Sequence, residues 1–523
     1  MSRLKHFARS LFSSYAFLGV NLLYTLASVP LALKYLSPDE FGLWTLVLQI
    51  VNCLALIDLG MGTSIARILI DHKDQRASGS YGAAIKSGFL VCLAQGAIIL
   101  LVGLALVGFM GAWLRVKVEL SGPFFWLMFG QVLLTGLSFI TRMFGQILYA
   151  WQRLDLYNYS QSALLIVGFA GLWLGFHLGL GIYSLLAGAA AGWLCGTFIC
   201  VWACGNIGAW PRTGEWGAVS GSQFRELFGY GADIFLIAMG GQLITASQTI
   251  LVSRQLGPGA TALWVVMTKV FALVCQIVWR IVGNAMPALA EMHVRQERER
   301  LWNRYRSLFT SVSVLAGCCA VLLAAGNSAF VSVWMGGKFS WPRINDVLLA
   351  IWLILLSQQC CHNSLVACLK EVRSLKYVFI AEGLVFIAVT FMILDTAGMT
   401  GMLLCSIVAT ALFTWSNGLW RVARLAGNSW KRLLWDWQQP LLWMLITMVP
   451  CWLLGEWAMS AAPDWARLGV NGMLLSVVGL WAGLRHALPA ALIIELTAKL
   501  PVLLQRPVLL LTRHVGQQKQ RPA

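Results

Sequence analysis

The chain has 523 residues, of which 59% are hydrophobic and only 11% are charged. A water-soluble domain carries about 25% charged residues, so this composition excludes a soluble globular protein and indicates that the lipid bilayer is its solvent. The formal net charge of +17 indicates cationic cytoplasmic loops rather than nucleic-acid binding, because no polar stretch is long enough for a reader domain.

The chain begins with a basic arm, which contains Arg3, Lys5 and Arg9 and runs directly into an apolar segment. That segment is too long for a signal peptide and has no convincing cleavage site, so we expect it to be retained as the first membrane helix. A helical span needs about 20 mainly apolar residues, and by this criterion the chain contains about fourteen. The predicted spans cover residues 11–33, 41–66, 83–109, 123–149, 158–178, 181–204, 227–253, 259–286, 307–335, 345–368, 374–395, 398–423, 438–459 and 466–486.

The predicted fold is an all-α polytopic membrane protein, with two pseudo-symmetric six-helix lobes and two extra C-terminal helices. The predicted regions are an N-terminal lobe (1–204), a cytoplasmic linker (205–226), a C-terminal lobe (227–424), the last two spans (425–486) and a tail (487–523). The apolar sequence of the tail is interrupted by Pro489, Pro501 and Pro507 and contains Lys499 and Arg506. We therefore expect a basic, amphipathic tail that lies at the cytoplasmic membrane surface and does not form a fifteenth span.

A short motif occurs twice, each time in the predicted loop between the first two spans of a lobe. Lys34–Pro38, followed by Leu43-Trp44, matches Arg254–Pro258, followed by Leu263-Trp264, although Gly259–Ala262 replaces Asp39–Gly42. Two equivalent halves that flank one cavity are the plan of an alternating-access transporter. Because six spans per lobe is an even number, we expect a parallel repeat with its pseudo-two-fold axis along the membrane normal.

Basic residues are concentrated in alternate loops. With a cytoplasmic N-terminus, the inside loops contain the run from Arg295 to Arg306 and the clusters near Lys370 and Arg421, whereas the outside loops contain few cations. This alternation follows the positive-inside rule and predicts that both termini are cytoplasmic.

Two glycine ladders predict close packing in the fifth and sixth spans, because small residues on one helix face let backbones approach. The ladders are Gly171, Gly175 and Gly179, and then Gly188, Gly192 and Gly196. The thirteen cysteines lie almost wholly in apolar segments, which predicts free thiols. The cluster Cys360–His362 lacks the paired spacing of a zinc motif, so we expect no metal site.

Polar side chains recur at helical spacing on one face of three predicted spans. They are Gln131, Thr135, Ser138, Arg142 and Gln146 in the fourth span, Lys269, Gln276 and Arg280 in the eighth, and Ser14, Asn21, Thr25 and Ser28 in the first. Charge is costly in the bilayer and marks a pathway. Lys269, Arg280 and Arg142 would suit a phosphate or diphosphate, with snorkelling as the alternative for the two arginines.

Three acidic residues in the predicted spans, Asp58, Asp233 and Glu382, are candidates for coupling or gating. Each can carry a proton or sodium ion, neutralise a nearby cation or stabilise a helix end, and the sequence leaves these alternatives open. Asp58 lies in Leu56–Gly62, whose glycines favour a kink in the second span. Such a kink fits either a moving element or close packing.

Catalytic chemistry has little support in this sequence. No G-x-x-x-x-G-K-[ST] phosphate loop occurs, and no Ser/His/Asp arrangement stands out. Membrane glycosyl-polymerases carry a large external loop with catalytic residues, and the predicted loops are all short. We therefore expect a protein that is not an enzyme and has no resident cofactor.

The run Tyr35–Trp44, followed by Leu56–Gly62 and Arg67, resembles the signature of polysaccharide-type flippases of the multidrug/oligosaccharidyl-lipid/polysaccharide (MOP) exporter superfamily. Met286–Leu289, at the end of the eighth span, is similar to the matching end in that family. The resemblance covers the whole chain in architecture, and specific residues near 34–67 and 254–289.

The resemblance implies a bacterial inner-membrane flippase, which moves undecaprenyl-diphosphate-linked oligosaccharide to the periplasmic leaflet for O-antigen, capsule or exopolysaccharide assembly. It implies that the partners are the lipid-linked substrate, the bilayer, and polymerase and assembly proteins, with a proton or sodium ion for coupling. The alternatives are a lipid II flippase, a multidrug antiporter of the same superfamily and a membrane glycosyl-polymerase. Lys269 and Arg280 argue against the antiporter, because cationic drugs call for an acidic cavity.

Overall fold

Helices dominate the structure, as expected where backbone polar groups must be satisfied within each membrane segment. The computed structural model describes residues 3–58, 61–73, 76–114, 117–218, 232–369 and 375–483. These residues contain no β-strand, which confirms the all-α prediction. The chain divides into two compact units, Met1–Val265 and Val266–Ala523.

The first unit contains eight complete helices and most of a ninth, which crosses the boundary at Val265. They are α1 (Arg3–Tyr35), α2 (Pro38–Leu54), α3 (Met61–His72), α4 (Ser80–Trp113), α5 (Val118–Ala150), α6 (Leu154–His177), α7 (Tyr183–Asn206), α8 (Ala232–Leu256) and α9 (Pro258–Met267).

The second unit contains the remaining helices and one π-helical turn, Ala411–Trp415. The helices are α10 (Lys269–Val294), α11 (Arg298–Met335), α12 (Ile344–Cys368), α13 (Leu375–Thr410), α14 (Ser416–Ala426), α15 (Trp430–Ala458) and α16 (Asp464–Ala482). Gly398 interrupts α13 with a φ of 58°, outside the helical region.

Within the described residues, eleven helical stretches are long and apolar enough to cross a membrane. A helix lies at each of the fourteen predicted spans, but α8 and α16 are not among the eleven. The eleventh and twelfth predicted spans form one stretch, Leu375–Ala426, which Gly398 divides. The protein is therefore a multi-pass membrane protein, and the number fourteen stays a prediction.

Two predicted spans are broken helices. In the second, α2 ends at Leu54, a 3₁₀ turn covers Ala55–Asp58 and α3 begins at Met61, as the glycines predicted. In the eighth, α9 ends at Met267 and α10 begins at Lys269. The Asn327 side chain donates to the Met267 carbonyl (3.0 Å), so a buried amide satisfies the backbone at this break.

The repeated motif begins a helix in both copies. Ser37 caps α2, because its hydroxyl accepts from the Glu40 N–H (3.2 Å) and the Glu40 carboxylate accepts from the Ser37 N–H (2.8 Å). In the second copy, Gly257 has a φ of 89° and Pro258 begins α9. The equivalent residues Trp44 and Trp264 are both buried. The two copies therefore share a local fold, and the capping box is lost where Ala260 replaces Glu40.

The two copies also pack against each other within the first unit. A Cβ on Gly42 would overlap the Pro258 carbonyl, and a Cβ on Gly259 would lie 2.7 Å from the Asp39 Oδ1. Asp39 also accepts a hydrogen bond from the Lys117 Nζ (2.5 Å), and this bond raises the pKa of the Lys117 ammonium. The missing side chain at Gly42 thus lets α2 reach the start of α9.

Glycines bring α6 and α7 close together. A Cβ on Gly188 would lie 2.7 Å from the Gly168 carbonyl oxygen, and a Cβ on Gly175 would lie 2.9 Å from the Ser184 Cβ. The predicted ladders are confirmed at these contact positions. The prediction is wrong for Gly179, which has a φ of 75° and lies in the turn after α6, where an added Cβ would meet no atom within 4 Å.

In the second unit, α15 and α16 pack on α11. Their shared core contains Val314, Val321, Met444, Met448 and Leu475. Reciprocal hydrogen bonds between the Gln358 and Gln438 amides (2.8 and 2.9 Å) also join α12 to α15. The two helices predicted as extra are therefore integral to this unit.

Part of the predicted organisation lies outside the described residues. The tail, 487–523, falls there entirely, and the linker 205–226 is described up to residue 218. The lobe boundaries and the pseudo-two-fold axis stay predictions.

Candidate functional site

A cavity of about 780 Å³ lies within the first unit. Residues of α3, α5, α6 and α7 line it, together with Asp58 from the turn between α2 and α3. A smaller cavity of about 270 Å³ adjoins it and shares Ser138, Leu164 and Trp193 with it. The larger volume falls within the roughly 300–1,000 Å³ that is typical of small-molecule sites.

The polar face predicted on the fourth span lines these two cavities. Gln131 and Thr135 line the smaller cavity, Arg142 and Gln146 line the larger, and Ser138 lines both. Helical spacing therefore predicted correctly that all five side chains face a cavity, although they are divided between two adjoining cavities. Their role in substrate binding stays a prediction.

Arg142 and Asp58 form an ion pair at the wall of the larger cavity, with 2.6 Å between Arg142 Nη2 and Asp58 Oδ1. Arg142 Nη2 also donates to the Gln95 Oε1 (3.0 Å), and the Gln95 Nε2 donates to the carbonyls of Ile57 (3.2 Å) and Asp58 (2.9 Å). Asp58 Oδ1 accepts from the Gly62 N–H (3.2 Å). The break in the second span thus positions the carboxylate and supplies carbonyls for Gln95.

Asp58 neutralises the charge of Arg142. Neutralising a nearby cation is one of the three roles that the sequence left open for Asp58. The side chains of Arg142 and Asp58 are 22% and 32% exposed, so both remain accessible from the cavity. Among the described residues, Arg142 Nη1 and Asp58 Oδ2 have no hydrogen-bond partner. The pair therefore offers a donor and an acceptor to a ligand.

Aromatic and amide side chains complete the larger cavity, and sequence reasoning did not single them out. Tyr157 and Gln161 come from α6, Trp193 and Thr197 come from α7, and the helix α5 contributes Tyr149. Tyr157 and Gln161 are four residues apart, as are Trp193 and Thr197, so each pair lies on one helix face. This spacing is the feature of the sequence that could have identified them. The Trp193 Nε1 donates to the Thr141 Oγ1 (3.2 Å) and so orients the indole ring.

Replacing Asp58 with alanine is expected to lower the unfolding free energy by roughly 1–3 kcal/mol, because it leaves a partly buried guanidinium without its carboxylate. Adding Arg142→Ala should recover part of that loss, since the unpaired charge is then absent. Thermal unfolding of the purified variants measures both effects. Asp395→Ala, at an exposed position, is the control, and strictly additive losses would show that the two side chains are not coupled.

Lys269 begins α10, directly after the break in the eighth span. Its side chain is partly buried, and no described carboxylate pairs with it. Gln276 and Arg280 are exposed on the same helix. A helix N-terminus carries partial positive charge, so a lysine there adds to a field that favours an anion. Arg142 belongs to the first unit, and its action together with Lys269 stays a prediction.

Glu382 is fully buried in α13, and its Oε2 accepts from the Thr414 N–H (3.2 Å). Thr414 lies in the π-helical turn, where the ordinary i→i−4 ladder is interrupted. The carboxylate therefore satisfies backbone at this turn, and its coupling role stays a prediction. Asp233 lies near the start of α8, and its side chain is outside the described residues.

Solved transporters share this fold. A lipid II flippase, MurJ, in an inward closed conformation has a TM-score of 0.65 and 15% identity, covering 91% of this chain and 97% of its own. An inward-facing multidrug resistance MATE family transporter of the MOP superfamily has a TM-score of 0.63 and 11% identity, covering 78% and 96%. A MOP superfamily transporter from Pyrococcus furiosus has a TM-score of 0.59 and 13% identity, covering 80% and 96%.

These identities show the fold alone, which is that of MOP superfamily transporters. A search of the curated proteins finds no significant match. The profile of a family described as "Polysaccharide biosynthesis protein" matches residues 33–341, more than half of the chain. The resemblance noted in the sequence is thereby confirmed, and the chain belongs to this polysaccharide biosynthesis protein family.

Proposed function

We propose that this protein is a flippase of the bacterial inner membrane. It moves undecaprenyl-diphosphate-linked oligosaccharide from the cytoplasmic to the periplasmic leaflet by alternating access. The glycan is a repeat unit of O-antigen, capsule or exopolysaccharide, and polymerase and assembly proteins receive it. The chain itself performs no covalent chemistry.

The observation that carries the proposal is membership of a polysaccharide biosynthesis family by a chain with a transporter fold. A hydrophilic glycan on a lipid carrier cannot cross the hydrocarbon core unaided, because its polar groups would lose their hydrogen bonds to water. A protein that serves polysaccharide synthesis with this fold is therefore best explained as the carrier for that step.

The diphosphate of such a substrate requires cations. Lys269 and Arg280 lie on one face of α10 with Gln276, and among the described residues neither cation has an acidic partner. Charge-assisted hydrogen bonds to phosphate are roughly twice as strong as neutral ones. Spreading the contact over several groups keeps the anion releasable. A proton or sodium ion, carried at Asp58, Asp233 or Glu382, supplies the coupling.

A lipid II flippase is the second candidate. The similarity to the solved lipid II flippase covers 91% of this chain, more than the 78% covered by the MATE transporter. A multidrug antiporter is less well supported, because Lys269 and Arg280 would repel a cationic drug.

Reconstitution of the purified chain into liposomes tests the proposal. The substrates are a short-chain lipid diphosphate carrying a neutral oligosaccharide, the corresponding lipid II analogue and a cationic dye. Membrane-impermeant periodate, which oxidises exposed sugar diols, reports the fraction of each glycan in the outer leaflet. We expect protein-dependent movement of the oligosaccharide substrate. Movement of lipid II alone supports the second candidate, and movement of the dye alone contradicts both.

The orientation of the chain gives a separate prediction. We expect both termini to be cytoplasmic, because loops rich in Lys and Arg alternate along the chain with loops that contain few cations. Reporter fusions at Gly179, between α6 and α7, and at Ala461, between α15 and α16, should report a periplasmic location. Fusions at Arg76 and Gly214 should report a cytoplasmic one. An inverted result at any of these positions would break the predicted alternation.

A further inference from the structure

The larger cavity of the first unit is close to neutral. Asp58 and Arg142 are the charged side chains among the residues that line it, and they pair with each other. A diphosphate carries several negative charges and needs unpaired cations. The cavity therefore does not suit the diphosphate part of a lipid-linked substrate.

Several polar groups that line the same cavity have no hydrogen-bond partner among the described residues. Among the described residues, the side-chain amides of Gln146 and Gln161 and the hydroxyl of Tyr157 have no hydrogen-bond partner, and all three side chains line the cavity. Arg142 Nη1 adds a donor and Asp58 Oδ2 an acceptor. A sugar hydroxyl both donates and accepts, so this mixture of donors and acceptors suits a neutral polyol.

Aromatic rings supply the other half of sugar recognition. Trp193, Tyr149 and Tyr157 line the cavity, and the Trp193 indole is oriented by its hydrogen bond to Thr141. The face of an aromatic ring carries partial negative charge, which attracts the polarised C–H groups on the flat face of a pyranose ring. Such rings combined with a few fixed polar groups are typical of small-molecule sites.

We propose that this cavity is a glycan subsite, which binds an uncharged sugar ring of the substrate while the diphosphate is bound elsewhere. Trp193 stacks against the sugar, and Gln146, Gln161 and the Asp58–Arg142 pair hydrogen-bond its hydroxyls. The inference rests on the flippase function proposed above and adds to it the part of the substrate that this unit recognises. Selection among glycans thus takes place in the first unit.

The test uses the full chain in lipid nanodiscs and saturation-transfer NMR. The probes are free di- and trisaccharides of hexoses, N-acetylhexosamines and 6-deoxyhexoses, with inorganic pyrophosphate as the competitor. We expect at least one neutral sugar to bind, and pyrophosphate at equal concentration to leave it bound. Trp193→Leu and Gln161→Leu should each weaken binding about fivefold to tenfold, whereas Trp193→Phe, which keeps a ring, should lose less.

Trp202→Leu is the matched control, because Trp202 is exposed on the same helix and lies outside the cavity lining. The inference is overturned if no sugar in the set binds, if binding survives both cavity variants, or if pyrophosphate displaces the sugar. Size-exclusion profiles identify a variant that fails to fold. If Trp193→Leu fails to fold, sugar binding by Trp193→Phe and Gln161→Leu is compared with that of the wild type instead.

Transport by the same variants separates this inference from the flippase proposal. If the wild type moves the lipid-linked glycan and the cavity variants move every glycan equally well, the subsite is refuted and the flippase stands. If the wild type moves no lipid-linked glycan, the flippase proposal fails, whatever the sugar-binding result.

Discussion

Replacing Lys269 with alanine is expected to reduce glycan delivery across the membrane by roughly 10- to 100-fold at unchanged protein abundance. A charge-assisted hydrogen bond contributes about 1.5–3 kcal/mol, and each 1.4 kcal/mol corresponds to a factor of ten. Lys269 lies at the N-terminus of α10 and has no described acidic partner. Its loss therefore removes one of the two cations of α10 that the proposed diphosphate site contains.

Lys269→Arg should keep part of the activity, because charge matters more at this position than shape. Lys431→Ala, which removes an exposed lysine of the same unit, is the matched control and should transport normally. The measurement is periodate-accessible glycan in liposomes together with protein abundance. Normal transport by Lys269→Ala at normal abundance would remove Lys269 from the diphosphate site and favour snorkelling or helix pairing.

Gly42→Ala is expected to destabilise the protein strongly and to reduce transport with it. The added Cβ would overlap the Pro258 carbonyl, and backbone cannot move aside as a flexible side chain can. The neighbours Leu43 and Leu46 are fully buried, so α2 has no room to retreat. Overpacking of this kind costs about 1–3 kcal/mol or more, which thermal unfolding in detergent should register as a lower midpoint.

Gly241→Ala is the matched control, since Gly241 lies in helix α8 and an added Cβ there meets no atom within 4 Å. Alanine is the better helix former by up to about 1 kcal/mol, so this variant should be unchanged or slightly stabilised. Equal stability of the Gly42 variant and the wild type would show that the two motif copies do not need their close contact.

Some features of this protein could be predicted from the sequence, because they depend on residues close together in the chain or on the bilayer that surrounds it. The bilayer requires about 20 apolar residues per span and internally satisfied backbone, so composition alone identified an all-α membrane protein. Helical periodicity placed Gln131, Thr135 and Arg142 on one helix face, which lines two adjoining cavities. The sequence predicted Ser37–Pro38 in the loop before a second span that begins at residue 41, whereas α2 begins at Pro38 with Ser37 as its cap.

The count of spans was harder to predict, because hydropathy does not show where a continuous helix bends. Gly398 divides one stretch of helix by its φ value, and Asn327 from another helix donates to the Met267 carbonyl at the break before Lys269. Gly179 was predicted wrongly for a related reason. Its spacing continues the glycine ladder of the fifth span, but its backbone lies in the turn after the helix ends.

The chemistry of the cavity was decided by tertiary structure. Asp58 and Arg142 are 84 positions apart, and their pairing changes two separate candidates into one neutral group. The contact between Gly42 and Pro258 likewise joins residues from different helices, and Tyr157 and Trp193 line the same cavity from two helices. Periodicity determines which face of a helix is polar, but which faces meet depends on how side chains from distant segments pack together.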